Sequence, residues 1–335
     1  MNKLYHKNTL GYHVLSHDNN YPLNILKLSN PTGLTSLSIV ILYFEAVQTI
    51  NLVLEHLLKS VNKIKKQVDK TWDVEVILID DGSTTYTAKE TIHPDYLSQI
   101  KVVRHAVNRG RCIARNTGIR SARKELLLFL DADILVNETI LLNHMRIHND
   151  IRKYDDNAIS VSLFNFVQKD ILDRTKDLSV LFKKTNDFRD DCTYQEKWIG
   201  CEEDKEFANQ RFRIMKDTHY LQKWPLSGSV GPWIMTNMVL GGAFMVDRKL
   251  AQLVNGCDYL FVEYGFEETS LATKLIVYCG SYIIPETSAY PIHIICEQGE
   301  KNRPEKNTLF RKAHDLYFNK FLKRKINENV IFDTD

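Results

Sequence analysis

Residues 125–134 read ELLLFLDADI, an apolar run that stops abruptly on Asp131 and Asp133. Five consecutive large apolar residues, Leu126 to Leu130, are too few to span a membrane and too evenly apolar for a half-exposed strand. They fit a strand buried on both faces, as in the middle of a parallel sheet. Such a sheet needs helices on both sides, so this one run restricts the chain to an α/β architecture. Ligands of open α/β sheets bind beyond the carboxyl ends of the strands, which is where the two acids fall. With one small residue, Ala132, between them, they can face the same side. Two unit charges 4 Å apart repel by roughly 4 kcal/mol at an effective dielectric near 20. A divalent cation resolves that repulsion; capping of the next helix is the plainer alternative.

The flanking sequence supplies the remaining layers. SLSIVILYF (36–44) is a second β-branched apolar run, followed by a helical stripe of Ile50, Val53, Leu54, Leu57, Leu58, Val61 and Ile64. VEVILIDDGST (74–84) is a buried strand ending on Asp80 and Asp81, with Gly82 and Ser83 making the turn, and IKVVRH (100–105) is a short third strand. NRGRCIARNTGIRSA (108–122) reads as a turn into a helix, and Asn137 with Glu138 starts another. Right-handed crossovers between these strands bring Asp81, the 109–115 segment, Asp131 and Asp133 to one edge of the sheet.

Farther along, the pattern changes. Residues 1–35 carry no periodicity and read as an extension before the main fold, and 165–235 is a charged, aromatic-studded stretch expected to form an acceptor-covering subdomain. NMVLGGAFMVD (237–247) reads as a strand interrupted by Gly241 and Gly242, followed by a short helix over 248–254. GFEETSLATKLIVY (265–278) is a helix with Glu267 and Glu268 in its first turn, where the helix dipole tolerates acids. SYIIPETSAYPIHI (281–294) is extended and brings in His293, and 307–326 is a last amphipathic helix before the tail.

Charge and cysteine usage narrow the function classes. Forty-four basic against 42 acidic residues leave a net charge of +2, so no basic field points to nucleic acid. Cys112, Cys192, Cys201, Cys257, Cys279 and Cys296 have neither C-x-x-C nor zinc-like spacing, which fits reduced thiols. Without a signal-like apolar core or a run of 18 apolar residues, the chain reads as soluble and cytoplasmic, with room for peripheral membrane contact.

Taken in order, VILIDDGST, NRGRCIARNTGI, ELLLFLDADI, GGAFMVDRK, GFEETSL and a later histidine resemble a GT-A glycosyltransferase of family 2 across residues 36–296. The resemblance implies a mostly parallel sheet flanked by helices, with a nucleotide-binding N-terminal half and an acceptor-side C-terminal half. It also implies a nucleotide-sugar donor, usually a UDP-sugar, and inverting transfer to a hydroxyl on a glycan, lipid-linked sugar, small molecule or peptide. On this pattern Tyr43, Asp80 and Asp81 hold the base and ribose; a carboxylate accepting the uracil imide N–H and a ring stacking on the base agree with that role. Asp81 capping its own turn through Ser83 and Thr84 is the alternative. Gly110 gives close backbone approach, with Arg111 and Arg115 toward the nucleotide, and Gly241 and Gly242 line the donor sugar. Asp131 and Asp133 become a D-x-D site for Mn²⁺ or Mg²⁺ beside the diphosphate, with His293 completing the metal shell. The second acid of the family's E-D pair takes the acceptor proton, here Glu268 in place of aspartate, with Glu267 as the other candidate. The chain departs from the family where a proline is usual after the first strand, reading ILYFEAV. A sugar nucleotidyltransferase would need a glycine-rich basic loop at that point, and a non-catalytic nucleotide-sugar binder is the remaining rival.

Overall fold

The computed structural model describes residues 5–27, 33–191, 235–296 and 303–326. Its central sheet has seven strands. β1 (Leu37–Tyr43), β2 (Val74–Asp80), β3 (Lys101–Arg104), β4 (Leu126–Asp131), β6 (Ala158–Ser162), β8 (Ala243–Asp247) and β9 (Tyr282–Glu286) lie in the order β3-β2-β1-β4-β8-β6-β9. β1 sits between β2 and β4, parallel to both, while β8 runs antiparallel to β4 and β6. The sheet is therefore mostly parallel, as the sequence implied.

Alternation along the buried strands builds two cores. Val40, Ile77, Ile79, Leu127 and Phe129 face one side; Ile39, Ile41, Leu78, Leu128 and Leu130 face the other. The first side is covered by α3 (Arg111–Ser121) and α5 (Glu267–Cys279), the second by α2 (Ile50–Gln67) and α4 (Glu138–Ile151). A Cβ on Gly118 would stand 2.4 Å from Val40 Cγ1, so only glycine lets α3 lie this close to β1. Phe129 of β4 stacks on Phe244 of β8 at 4.9 Å, joining the parallel half to the antiparallel strand.

A second, three-stranded sheet orders β5 (Ile134–Leu135), β10 (Ile292–Ile295) and β7 (Asn165–Gln168) as β5-β10-β7. The chain crosses from the large sheet to the small one through Asp131-Ala132-Asp133.

Four features differ from the sequence reading. β8 begins at Ala243, after the two glycines, because both are packed beneath side chains. Residues 165–191 do not stand apart as a subdomain: they supply β7 of the small sheet and end on a buried pair in which Arg189 bonds Asp187 and the carbonyls of Ser162 and Met238. The rest of the expected acceptor-side stretch up to 234, and the tail beyond 326, lie outside the described residues. The N-terminal segment belongs to the main body: α1 (Leu10–Leu15) buries Leu10, Val14 and Leu15, and Gly11 and Leu10 donate to the carbonyls of Leu322 and Arg324. The last helix, α6 (Arg303–Leu316), starts earlier than expected and ends in a π-turn over Tyr317–Phe321.

Between α4 and the sheet lies a buried polar cluster. Both ring nitrogens of His144 meet serine hydroxyls, Ser160 at 2.7 Å and Ser162 at 2.8 Å, and His148 Nε2 lies 3.1 Å from Ser160 Oγ. Burial pushes both imidazoles down to about 3. They stay neutral when folded but bind protons near 6.5 when unfolded, so the stability they confer is complete above pH 6.5 and is lost as the pH falls. The loss at pH 5 is on the order of 2 kcal/mol per histidine. Urea midpoints at pH 7 and pH 5 should differ clearly for the wild type and less for His148→Gln; equal midpoints for the wild type would contradict this account.

Candidate active site

The C-terminal ends of β1 and β2 organise the first part of the site. Tyr43, the last residue of β1, is 1% exposed and its hydroxyl donates to the Tyr86 carbonyl at 2.6 Å. Its ring lies in the core and is not available for base stacking; the aromatic that faces outward is the next residue, Phe44, at 50% exposure. Strand alternation is the reason. Asp80 is also sealed, accepting from the N–H groups of Ser83 and Ala88, so it holds the turn rather than a ribose. Asp81 faces the other way. Its Oδ1 lies 2.7 Å from His105 Nδ1 and accepts from Arg109 N, and its Oδ2 accepts from Gly110 N at 2.9 Å. Asp81 thus ties β2 to the start of α3, and the turn-capping role falls to Asp80.

Glu45 was not signalled by any motif. It sits at φ +50°, and its carboxylate accepts from three successive backbone N–H groups, Thr84, Thr85 and Tyr86. Burial pushes its pKa up, but those three donors together outweigh it and hold the carboxyl below its ordinary range.

Arg115 is the hub of the second part. It is 0% exposed, and its Nη1 lies 2.6 Å from Glu267 Oε1 and 3.8 Å from Glu268 Oε2, while Nη2 reaches Asp131 Oδ1 at 3.4 Å. The guanidinium is consumed by three protein carboxylates, which corrects its assignment to the nucleotide. Gly241 and Gly242 are corrected with it. A Cβ on Gly241 would meet Arg115 Nη2 at 1.8 Å, and one on Gly242 would meet Phe164 at 2.9 Å, so these glycines make room for protein side chains rather than for a sugar. The close approach at Gly110, with φ +86°, is likewise to a protein atom, the Val262 carbonyl.

The two glutamates separate by environment. Gly265 (φ +102°) and Phe266 (φ +65°) turn the chain through left-handed conformations into α5, strain that Phe266 sustains by packing on Tyr317 and Phe310. Glu267 is 1% exposed; burial pushes its carboxyl up, but the charges of Arg115 and then Arg111, with local hydrogen bonds, together outweigh burial and hold it ionised and low. Glu268 accepts the Gly241 N–H on Oε1 at 3.0 Å and leaves Oε2 without a hydrogen bond. Burial first and the charge of Glu267 second raise it to about 7. Each glutamate keeps one oxygen, Oε2, without a hydrogen bond, so electrostatics divides them: Glu268 has the raised pKa of a general base, whereas Glu267 is held ionised as the counterion of Arg115.

The acids after β4 diverge. Asp131 turns toward Arg115, whereas Asp133 turns toward His293, its Oδ2 lying 3.5 Å from Nε2. His293 is placed there by β10, which pairs it with Ile134 while Ile294 N donates to the Asp133 carbonyl. Among the described residues no group of three or more acids, histidines or cysteines converges as a metal cage, so the three-ligand set of Asp131, Asp133 and His293 is not assembled. Of the three, Asp133 and His293 lie together, and Asp133 Oδ1 and His293 Nδ1 are each buried atoms without a hydrogen-bond partner. Arg111 stays exposed, its guanidinium 5.0 Å from the centre of the Tyr264 ring.

Comparisons with known proteins agree with this architecture. A stretch of 121 residues, 33% of this chain and 18% of the relative, is 28% identical to the probable polypeptide N-acetylgalactosaminyltransferase 8 of Homo sapiens. Another of 88 residues, 26% of this chain and 27% of the relative, is 30% identical to the poly(ribitol-phosphate) beta-N-acetylglucosaminyltransferase TarP of Staphylococcus aureus (strain N315). The matched stretches thus span less than a third of either relative. The fold is similar to that of the mannosyltransferase PcManGT from Pyrobaculum calidifontis, solved in complex with GDP-Man and Mn²⁺, with a TM-score of 0.50 and 14% identity over 86% of this chain and 65% of that one. At that identity the likeness bears on the fold alone, which is GT-A. Residues 38–201, from the first strand of the sheet past both acidic strand ends, match the family model for glycosyl transferase family 2.

Proposed function

We propose that this chain is an inverting, metal-dependent glycosyltransferase that moves a sugar from a nucleoside diphosphate donor, most readily a UDP-sugar, to a hydroxyl acceptor. The observation that carries the reading is the placement of Glu268. Its unpartnered oxygen lies beside Arg115, which also holds Asp131 at the end of β4. In the transfer, the acceptor oxygen bonds to the anomeric carbon as the bond from that carbon to the diphosphate breaks. The electron pair leaves with the nucleoside diphosphate, and the acceptor proton passes to Glu268 Oε2. Asp133 and His293 would hold Mn²⁺ or Mg²⁺, and the ion would supply Lewis-acid charge to the leaving diphosphate. Glu267 positions Glu268 by anchoring the first turn of α5 to Arg115. The relatives' printed names, N-acetylgalactosaminyl- and N-acetylglucosaminyltransferases, support a hexosamine donor as the first to be tried.

The test is release of nucleoside diphosphate from a panel of UDP- and GDP-sugars, with candidate acceptors, in the presence of Mn²⁺ and again with a chelator. Turnover should need the divalent ion, and Asp133→Ala should lose at least tenfold in metal-assisted UDP binding along with most of its activity, in line with removal of a metal ligand. Donor binding with no release under any condition favours an inert binder, and undiminished activity in Asp133→Ala removes the metal site.

A further inference from the structure

Tyr264 lies just ahead of Glu267 and Glu268 and carries two cations from distant parts of the chain. Arg111, at the start of α3, stands 5.0 Å from the ring centre, and Lys306, on α6, stands 5.9 Å from it. Among the described residues neither cation has a carboxylate within ion-pair distance. Lys306 is held there by a rigid mount. Phe310, one turn along α6, packs on Phe266 at 5.2 Å, Lys312 pairs with Glu263 at 2.7 Å, and Tyr317 bonds Thr273 of α5. α6 is therefore fixed against the same turn that presents Glu267 and Glu268.

Two like charges brought to one ring repel, and the ring face compensates only in part. The cost shows in Lys306, whose ammonium is lowered by burial and then by the charge of Arg111, with Asp133 and Asp131 pulling the other way. Arg111 lies one turn before Arg115 on α3, and Arg115 reaches Asp131 at 3.4 Å, so the pair borders the same space as the acids after β4. A ligand matching both borders must offer anionic oxygens to the two cations and further anionic oxygens toward Asp133 and His293 through a divalent ion. A diphosphate has that shape and charge; a lone sugar or a nucleoside does not.

We propose that Lys306, with Arg111 on the Tyr264 ring, clamps the diphosphate of the donor, so that the C-terminal helix outside the matched family segment completes the active site. This rests on the donor reading above and adds a binding residue to it. Arg111 brings a planar fork to the phosphate oxygens, Tyr264 keeps the two cations apart, and Lys306 supplies a point charge from the opposite side. As the leaving group departs its charge increases, so the clamp serves release of the sugar as well as binding.

Titration of the full-length protein in Mn²⁺ buffer with inorganic pyrophosphate, UDP and uridine tests this directly. Lys306→Ala should weaken pyrophosphate and UDP by roughly tenfold, the size of one charge-assisted contact, and leave uridine unchanged. Lys306→Arg should restore most of the loss, and Lys59→Ala, on an exposed face of α2 and paired with Glu55, should match the wild type. A purely structural role for Lys306 would weaken uridine in parallel and would not be rescued by arginine. The clamp is overturned if Lys306→Ala binds pyrophosphate as the wild type does, or if the wild type binds no pyrophosphate. Failure of the donor reading has another signature: no nucleoside diphosphate binds more tightly than pyrophosphate, while the dependence on Lys306 persists.

Discussion

Glu268→Gln should lower the rate of sugar transfer by roughly 10²- to 10⁴-fold, the usual contribution of a positioned general base. Gln keeps the acceptor atom that receives the Gly241 N–H, so the loop before β8 and the affinity for donor should be unchanged. The loss therefore falls on kcat. The pH dependence has a defined sign. Glu268 is raised to about 7, so below pH 7 it already carries the proton it must accept, and kcat should climb as the pH rises through that value. In the variant this limb should disappear. Stability should move the opposite way. Between the ordinary glutamate range and pH 7 the folded state retains a proton that the unfolded chain has released, so stability falls as the pH rises through about 7. Gln carries no such charge, and at pH 8 the variant should be at least as stable as the wild type. A variant that is inactive because it is unfolded would contradict the assignment, as would one whose kcat keeps the wild-type pH limb.

How far this site can be read from sequence depends on which kind of information each residue needs. Strands ending on acids are legible because the signal is an apolar run with a charge at its end, and the runs at 36–44, 74–80 and 125–131 each became a strand of the sheet. Glu267 and Glu268 are legible as a pair at a helix start, but their division of labour is not. It depends on Arg115, 152 residues away from Glu267 in sequence, choosing one of them as its closer partner. The sugar-facing roles given to Gly241 and Gly242 failed because a glycine signals a close approach without saying what approaches: at Gly241 the visitor is the guanidinium of Arg115, which is thereby turned from the nucleotide, and at Gly242 it is the Phe164 ring. Tyr43 failed by a single position of strand parity, with Phe44 taking the outward face. The N-terminal segment looked like an extension because its anchors are bonds to residues 322–326, at the far end of the chain. Nothing local records them. Antiparallel β8 was hidden for a similar reason, since strand direction is set by a partner and leaves no mark on alternation.

Arg115→Met should be the most destabilising single change in the site. Methionine approximates the length of the arginine stem but leaves Glu267, at 1% exposure, without its ion-pair partner, and Asp131 and Glu268 beside it. Removing one partner of a buried ion pair while the other stays costs about 3–5 kcal/mol. Pairing with Arg115 is the largest of the interactions that keep Glu267 ionised and low despite its burial. In the wild type that interaction is fully present above the ordinary glutamate pKa and is lost as the pH falls through the lowered folded value. In the variant the balance inverts: with burial no longer outweighed, Glu267 takes up a proton more readily when folded, so the variant should recover stability as the pH is lowered from 8 toward 5. Urea unfolding at both pH values measures this directly. The double variant Arg115→Met with Glu267→Gln should regain much of the lost stability, because it no longer contains the stranded charge. It should not regain activity, since the first turn of α5 would have lost the tether that sets Glu268 in place. Equal stability of Arg115→Met and the wild type at pH 8 would mean that the carboxylates are relieved by solvent instead, and that the buried hub does not govern the site.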